Sequence, residues 1–177
     1  MKQAKRIVVV IDMQNDFISG ALGTPEAKAI VPAVVARMQA EQEAGSLLVF
    51  TRDTHGPDYL TTLEGKLLPA PHCEKGTEGW ELAREIAPFA QNAILVDKPT
   101  FGSVALPALL RPHVGPGTEF LIFGLCTDVC VVSNALLLRA HFPNHRIFVA
   151  PDCCAGITPQ SHEAALTTMA MCQIQQA

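Results

Sequence analysis

Five short, nearly continuous apolar runs constrain this chain more than any other feature: Ile7–Ile11, Leu47–Thr51, Ala93–Val96, Glu119–Phe123 and Ile147–Val149. A strand with one face in water alternates apolar and polar residues. A continuous run instead needs cover on both faces, which is the condition of parallel strands layered between helices. Helical patterns fall between the runs: Ile30–Ala44 closed by Gly45, Trp80–Ala87 closed by Pro88, Val104–Leu110, Val129–Phe142 and Ser161–Met171. This alternation predicts an α/β fold, a three-layer α/β/α sandwich around a mostly parallel sheet of five or six strands. The sixth would be a short strand at Cys172–Gln175. No repeat or linker divides the chain, so residues 1–177 are expected to form one domain with a substantial core.

Composition excludes several classes of function. Hydrophobic residues at 49% against 17% charged argue against disorder. A net charge of −4 without a lysine or arginine cluster argues against nucleic acid or an acidic membrane surface as a partner. The basic start, Met-Lys-Gln-Ala-Lys-Arg, is followed by an apolar run that stops at Asp12, too short for a signal-peptide core or a membrane span. A cytoplasmic protein with mostly reduced thiols is therefore expected. The cysteines, at 73, 126, 130, 153, 154 and 172, contain no CxxC pair, which disfavours a cysteine-only zinc site.

Three reactive side chains end three different predicted strands. Asp12 follows the first, Lys98 the third, and Cys130 the fourth after the turn Gly124-Leu-Cys-Thr-Asp-Val. Ligands of open α/β sheets bind beyond the carboxyl ends of the strands, where all three fall. A thiol nucleophile needs a base to take its proton and a cation to hold the thiolate, and a carboxylate and an ammonium supply both. With Thr127 or Asp128 as the cap, Cys130 would open a helix whose dipole and free N–H groups favour the thiolate. Such a thiol would be accessible and alkylated well below about pH 8. The plain alternative is a small hydrophobe packed under a helix.

The longest irregular stretch, Asp53 to about Thr77, carries a second set. Asp53 and His55 are two apart, so an extended segment turns both the same way, and His72 can fold back to join them. Two imidazoles and a carboxylate suit one divalent ion, Zn²⁺ first and Mn²⁺ or Fe²⁺ as alternatives, with positions left for water or substrate. Glu64 is a candidate fourth ligand. Loop histidines bonded to backbone are the plain alternative. The remaining histidines (113, 141, 145 and 162) read as helix-end or turn residues. Cys153 and Cys154 read as core or rim thiols, and Trp80 as a core anchor.

Five motifs in order resemble the isochorismatase-like cysteine hydrolases, and most closely their nicotinamidase-type branch. They are Val10-Ile-Asp-Met-Gln-Asn-Asp-Phe17, Thr51-Arg-Asp-Thr-His55, His72-Cys-Glu-Lys-Gly-Thr77, Lys98-Pro-Thr-Phe-Gly-Ser103 and Gly124-Leu-Cys-Thr-Asp-Val-Cys-Val131. The resemblance implies that Asp12, Lys98 and Cys130 form a catalytic triad and that Asp53, His55 and His72 hold the metal. It implies a cis Leu125–Cys126 bond and an oxyanion hole made by the backbone N–H groups of Cys126 and Cys130. Phe17 and Leu125 would contact a small amide substrate, and the protein would be a homodimer or larger. Two positions depart from the branch: Ala70 stands where an aromatic residue often flanks the substrate ring, and Val129 precedes the nucleophile in place of an aromatic. Hydrolysis of nicotinamide is the leading expectation. Hydrolysis of an N-carbamoyl or ureido compound is the second. A metal-stabilised binding protein without turnover is the alternative of a different class.

Overall fold

The computed structural model describes residues 3–177. Six strands form one all-parallel sheet: β1 (Arg6–Ile11), β2 (Leu47–Asp53), β3 (Ile94–Lys98), β4 (Glu119–Leu125), β5 (Ile147–Ala155) and β6 (Gln175–Gln176), in the order β3-β2-β1-β4-β5-β6. The order reverses between β1 and β4, so the crevice at that switch point is where such a sheet accepts a ligand. The helices are α1 (Asn15–Ile18), α2 (Pro25–Glu43), α3 (Leu63–Leu67), α4 (Leu106–Leu110), α5 (Val132–His141) and α6 (Pro159–Met171). Helix α2 lies against β5, β4 and β2, while α4, α5 and α6 pack against one another in sequence. Right-handed crossovers put these two groups on opposite faces. The five predicted runs form five of the six strands, and β1 and β4 at the centre of the sheet are almost wholly buried.

Several boundaries moved, each for a local reason. Helix α2 begins at Pro25 because Thr24 caps it, its hydroxyl accepting from the Ala27 N–H at 3.0 Å, with proline at the first helical position. Strand β5 runs on to Ala155 through an irregularity opposite Ile122–Gly124, which accommodates Pro151. The helix expected at Trp80–Ala87 does not form. Its backbone is committed to the segment after β1, with Asn15 N–H donating to Glu81 O, Asp16 N–H to Gly79 O, and Ala83 N–H to Met13 O. Only a 3₁₀ turn at Ala87–Ala90 follows. The last strand is Gln175–Gln176 rather than Cys172–Gln175, because Cys172 closes α6. Cys130 lies not in an α-helix but in a wider π turn, Thr127–Val131, with the Val129 and Val131 N–H groups donating to Cys126 O and Val132 N–H to Thr127 O.

Gly124 makes the switch point tight enough for chemistry. Its φ is +128°, and a Cβ there would collide with the carbonyl oxygen of Ile11 on the neighbouring strand. Only glycine allows β4 to approach β1 this closely as the chain turns toward Cys130.

Candidate active site

The parallel register brings the three strand-end residues together. Lys98 ends β3, Asp12 follows β1 in a left-handed conformation at φ +48°, and Cys130 sits in the turn after β4. Lys98 Nζ is 2.6 Å from Asp12 Oδ2, 3.4 Å from Cys130 Sγ and 3.3 Å from Asp53 Oδ1. Asp12 and Lys98 are fully buried, and Cys130 is 3% exposed. Thr51 completes the setting of the carboxylate: its hydroxyl donates to Asp12 Oδ1 at 2.6 Å and accepts from the Asp12 N–H at 3.3 Å.

Burial dominates the electrostatics here. It pushes Asp12 above the usual carboxylate range, with the Lys98 charge opposing only in part. Burial would lower Lys98, but the neighbouring Asp12, Cys130 and Asp53 together hold it above its ordinary value. The Cys130 thiol is pushed well up, first by burial and then by the Asp12 carboxylate, Lys98 pulling the other way. This corrects the expectation of an accessible, low-pKa thiolate. A single wide turn offers a weak dipole, and desolvation of a fully enclosed sulfur outweighs it. Burial thus shifts both Asp12 and Cys130 toward their protonated forms.

The loop set converges beside the triad. Ligand atoms of Asp53, His55, Glu64 and His72 all lie within 4.8 Å of one another. His55 Nε2 is 3.0 Å from Asp53 Oδ2 and 3.6 Å from Glu64 Oε1, and His72 Nε2 is 3.5 and 3.8 Å from the same two oxygens. Burial would raise Asp53, but bonds from His55 and His72 and the Lys98 charge hold it well below the usual range. His72 Nδ1 donates to Ala70 O at 2.8 Å, which turns Nε2 toward Asp53 and Glu64. Two imidazoles and two carboxylates, brought together at the end of a buried crevice, fit a divalent cation.

A cavity of about 190 Å³ joins the two sets, lined by Phe17, Leu22, Leu68, Phe101, Cys126, Val129 and Ile157 as well as Asp53, Glu64, His72 and Cys130. Phe17 packs edge-on to the His72 ring at 5.6 Å. Leu125 is fully buried and does not line this cavity; it packs in the core where β4 ends. The Leu125–Cys126 peptide is cis. Ala70 is absent from the lining, whereas Tyr59 packs against both His55 and His72 at 4.7 and 5.1 Å.

Some supporting residues carried no signal strong enough to read. Gln14 is fully buried; its carbonyl accepts from the Asp53 N–H at 2.7 Å, and its amide donates to Asp53 O at 2.9 Å and Trp80 O at 2.8 Å. Asp16 Oδ2 accepts from the Cys73 N–H at 2.8 Å and so anchors the residue after His72. Asn134 donates to Cys130 O at 2.8 Å and accepts from the Ser103 N–H at 2.9 Å. Gln14 and Asp16 stand inside a motif already singled out, but only tertiary contacts give them partners. Trp80 is more than a core anchor: its indole donates to Thr54 Oγ1 at 2.9 Å, and the Arg52 guanidinium stacks 3.8 Å from its ring.

The chain matches the isochorismatase domain family over residues 6–176. Among solved structures it resembles the nicotinamidase/pyrazinamidase of Bacillus subtilis, with 30% identity, a TM-score of 0.85 and 100% of each chain covered. It resembles the pyrazinamidase of Pyrococcus horikoshii, a structure in complex with zinc, at 27% identity and TM-score 0.79, covering 98% of each chain. The N-carbamoylsarcosine amidase of Thermoplasma acidophilum is similar at 28% identity and TM-score 0.79, with 99% of this chain and 96% of that one covered. A buried acid–lysine–cysteine cluster at the switch point, a four-residue metal-ligand group beside it and a family match over nearly the whole chain agree, and the protein belongs to the isochorismatase family as an amide-bond hydrolase of its nicotinamidase-like branch.

Proposed function

We propose that the protein hydrolyses a small neutral carboxamide, nicotinamide first, to the acid and ammonia through a thioester on Cys130. The observation that carries this reading is Lys98 Nζ, which stands within 3.4 Å of Asp12, Cys130 and Asp53 at once and so joins the thiol, its base and the ligand cluster in one cavity.

The chemistry follows from this geometry. Asp12, made more basic by burial, takes the Cys130 proton as the substrate enters and excludes water. Lys98 holds the thiolate, which attacks the amide carbon. The Val129 and Val131 N–H groups both turn back to Cys126 O, and the N–H groups of Cys126 and Cys130 would serve the oxyanion. Such a donor is worth about 3–4 kcal/mol in a barrier. Ammonia departs with the proton from Asp12, and Asp12 then takes a proton from the water that opens the thioester.

Asp53, His55, His72 and Glu64 would hold the divalent ion, zinc being the best match to this donor set. When bound it supplies a Lewis-acidic anchor for a ring nitrogen or a water. The apolar lining suits a small flat ring, held by Phe17 on one side. A carboxylate-bearing N-carbamoyl amino acid fits less well: the charged residues lining the cavity are Asp53 and Glu64, and no arginine or lysine is among them.

Ammonia release from nicotinamide, pyrazinamide and N-carbamoyl amino acids, by metal-replete wild type and Cys130→Ala, tests the reading. Turnover of the pyridine amide that vanishes in the variant supports it. Turnover restricted to ureido compounds would move the substrate, and no turnover of any amide would leave a binding protein.

A further inference from the structure

The turn that carries Cys130 has no side-chain cap of its own. Its two polar residues reach outward instead. Thr127, fully buried, has its hydroxyl 2.8 Å from His162 Nδ1, and the Asp128 carboxylate accepts from the Ile157 N–H at 3.0 and 3.2 Å. Both partners belong to the next segment: Ile157 on the loop after β5, and His162 in the first turn of α6. Helix α6 is itself started by a reciprocal cap between Thr158 and Ser161. Gly156 backs onto His162, where an added Cβ would lie 2.9 Å from the His162 Cβ and backbone nitrogen. The imidazole is therefore seated, not swinging: its side chain is 16% exposed, and its other nitrogen is 4.0 Å from Glu163 Oε1.

The turn's other bonds hold its carbonyls, Val129 and Val131 N–H donating to Cys126 O, Ser133 Oγ to Val129 O and Asn134 to Cys130 O, whereas the Thr127 hydroxyl ties the start of the turn to α6. Thr127 directly follows Cys126, and the N–H groups of Cys126 and Cys130 are those assigned to the oxyanion. A small rotation of either would aim its donor away from the developing charge, where direction decides the stabilisation. We propose that His162 is a positioning residue for the hydrolysis: through its bond to the buried Thr127 hydroxyl it fixes the orientation of the Cys126–Cys130 peptides. It touches no substrate and does not line the cavity. The inference rests on the amidohydrolase reading above.

A double-mutant cycle with an independent structural readout tests it. His162→Ala and Thr127→Val should each lower kcat on the amide that wild type turns over by about 10- to 100-fold, with KM within about threefold, because donors aimed at the transition state are lost rather than ground-state binding. The double variant should be no more than about twofold worse than the worse single one, since both break the same bond. His162→Asn presents an amide near the place of Nδ1 and should return kcat to within about fivefold of wild type. Amide hydrogen exchange over residues 126–131 should quicken at least about tenfold in His162→Ala and not in His162→Asn, with β1 and β4 unchanged. Additive losses, a rise in KM alone, or unchanged exchange in the alanine variant would overturn the proposal. The exchange needs no substrate. If wild type hydrolyses no amide, the amidohydrolase reading falls while exchange still decides whether His162 holds the turn.

Discussion

The triad and the ligand cluster share one cavity but are built by different means. Asp12, Lys98 and Cys130 stand at the ends of β1, β3 and β4, so the ladder that pairs Val10 with Phe50, Asp53 with Lys98, and Ile11 with Gly124 sets their spacing. Only Asp53 of the ligand group sits on that ladder. His55, Glu64 and His72 arrive on a long loop held by a handful of bonds: His55 N–H to Cys73 O, Lys75 N–H to His55 O, Cys73 N–H to Asp16 and Tyr59 Oη to Leu68 O. A sheet register positions groups without help from a ligand. The loop instead brings Glu64 and two imidazoles to the Asp53 carboxylate, with ligand atoms within 4.8 Å of one another, where a bound cation would add to its hold. Asp53 joins the two systems, with one oxygen facing Lys98 and the other facing both imidazoles.

Substitutions can break this contrast. The largest effect is expected from Cys130→Ala, which should lower amide turnover at least about a thousandfold while leaving bound metal and melting temperature near wild type. Residual activity within tenfold would remove the nucleophile from the scheme. Lys98→Met should abolish turnover and also destabilise the fold by about 3–5 kcal/mol in urea titrations, because Asp12 and Asp53 are then buried without their cation. A variant as stable as wild type would show that the triad is not held by this ion pair.

Metal removal probes the other half. If the ion is present at about a hundred times its dissociation constant, chelation should cost about 2.7 kcal/mol, seen as a lower melting temperature, and His72→Ala should show the same loss without a chelator. Hydrogen exchange should rise in residues 54–74 and not in the strands; uniform loosening would make the contrast between sheet and loop false.

The pH dependence should reflect the sheet side. Burial raises Cys130, and it pushes Cys126 and Cys154 up to about 12. The unfolded chain then releases thiol protons before the folded one does. Their contribution is therefore complete below about pH 8.5–9 and declines as pH rises through the folded values, so unfolding free energy should fall above about pH 9. Cys154→Ala should shallow that decline without touching activity. The smallest effect is expected at the rim: Ala70→Tyr should lower KM for nicotinamide by about fivefold or less, the worth of one ring contact.

The parallel sheet was legible because burial on both faces leaves continuous apolar runs. The three strand-end residues were legible because the turns after such strands form the crevice. The lost helix at Trp80–Ala87 shows where this stops. Its periodicity is genuine, but Asn15, Asp16 and Met13 claim its backbone, and no local pattern announces a partner some 65 residues away in sequence. The same holds for Gln14, whose amide spans Asp53 and Trp80.

The sequence by itself determined the layered α/β architecture, the reactive types at the strand ends and the donor set on the long loop. These depend on side-chain chemistry and local spacing. Tertiary structure alone decided that Cys130 is enclosed and its thiol pushed up, since desolvation by its neighbours outweighs the dipole of its turn. It also decided that Glu64 joins the ligand group, that Leu125 does not reach the cavity and that His162 meets Thr127, because each depends on which distant atoms share one buried space.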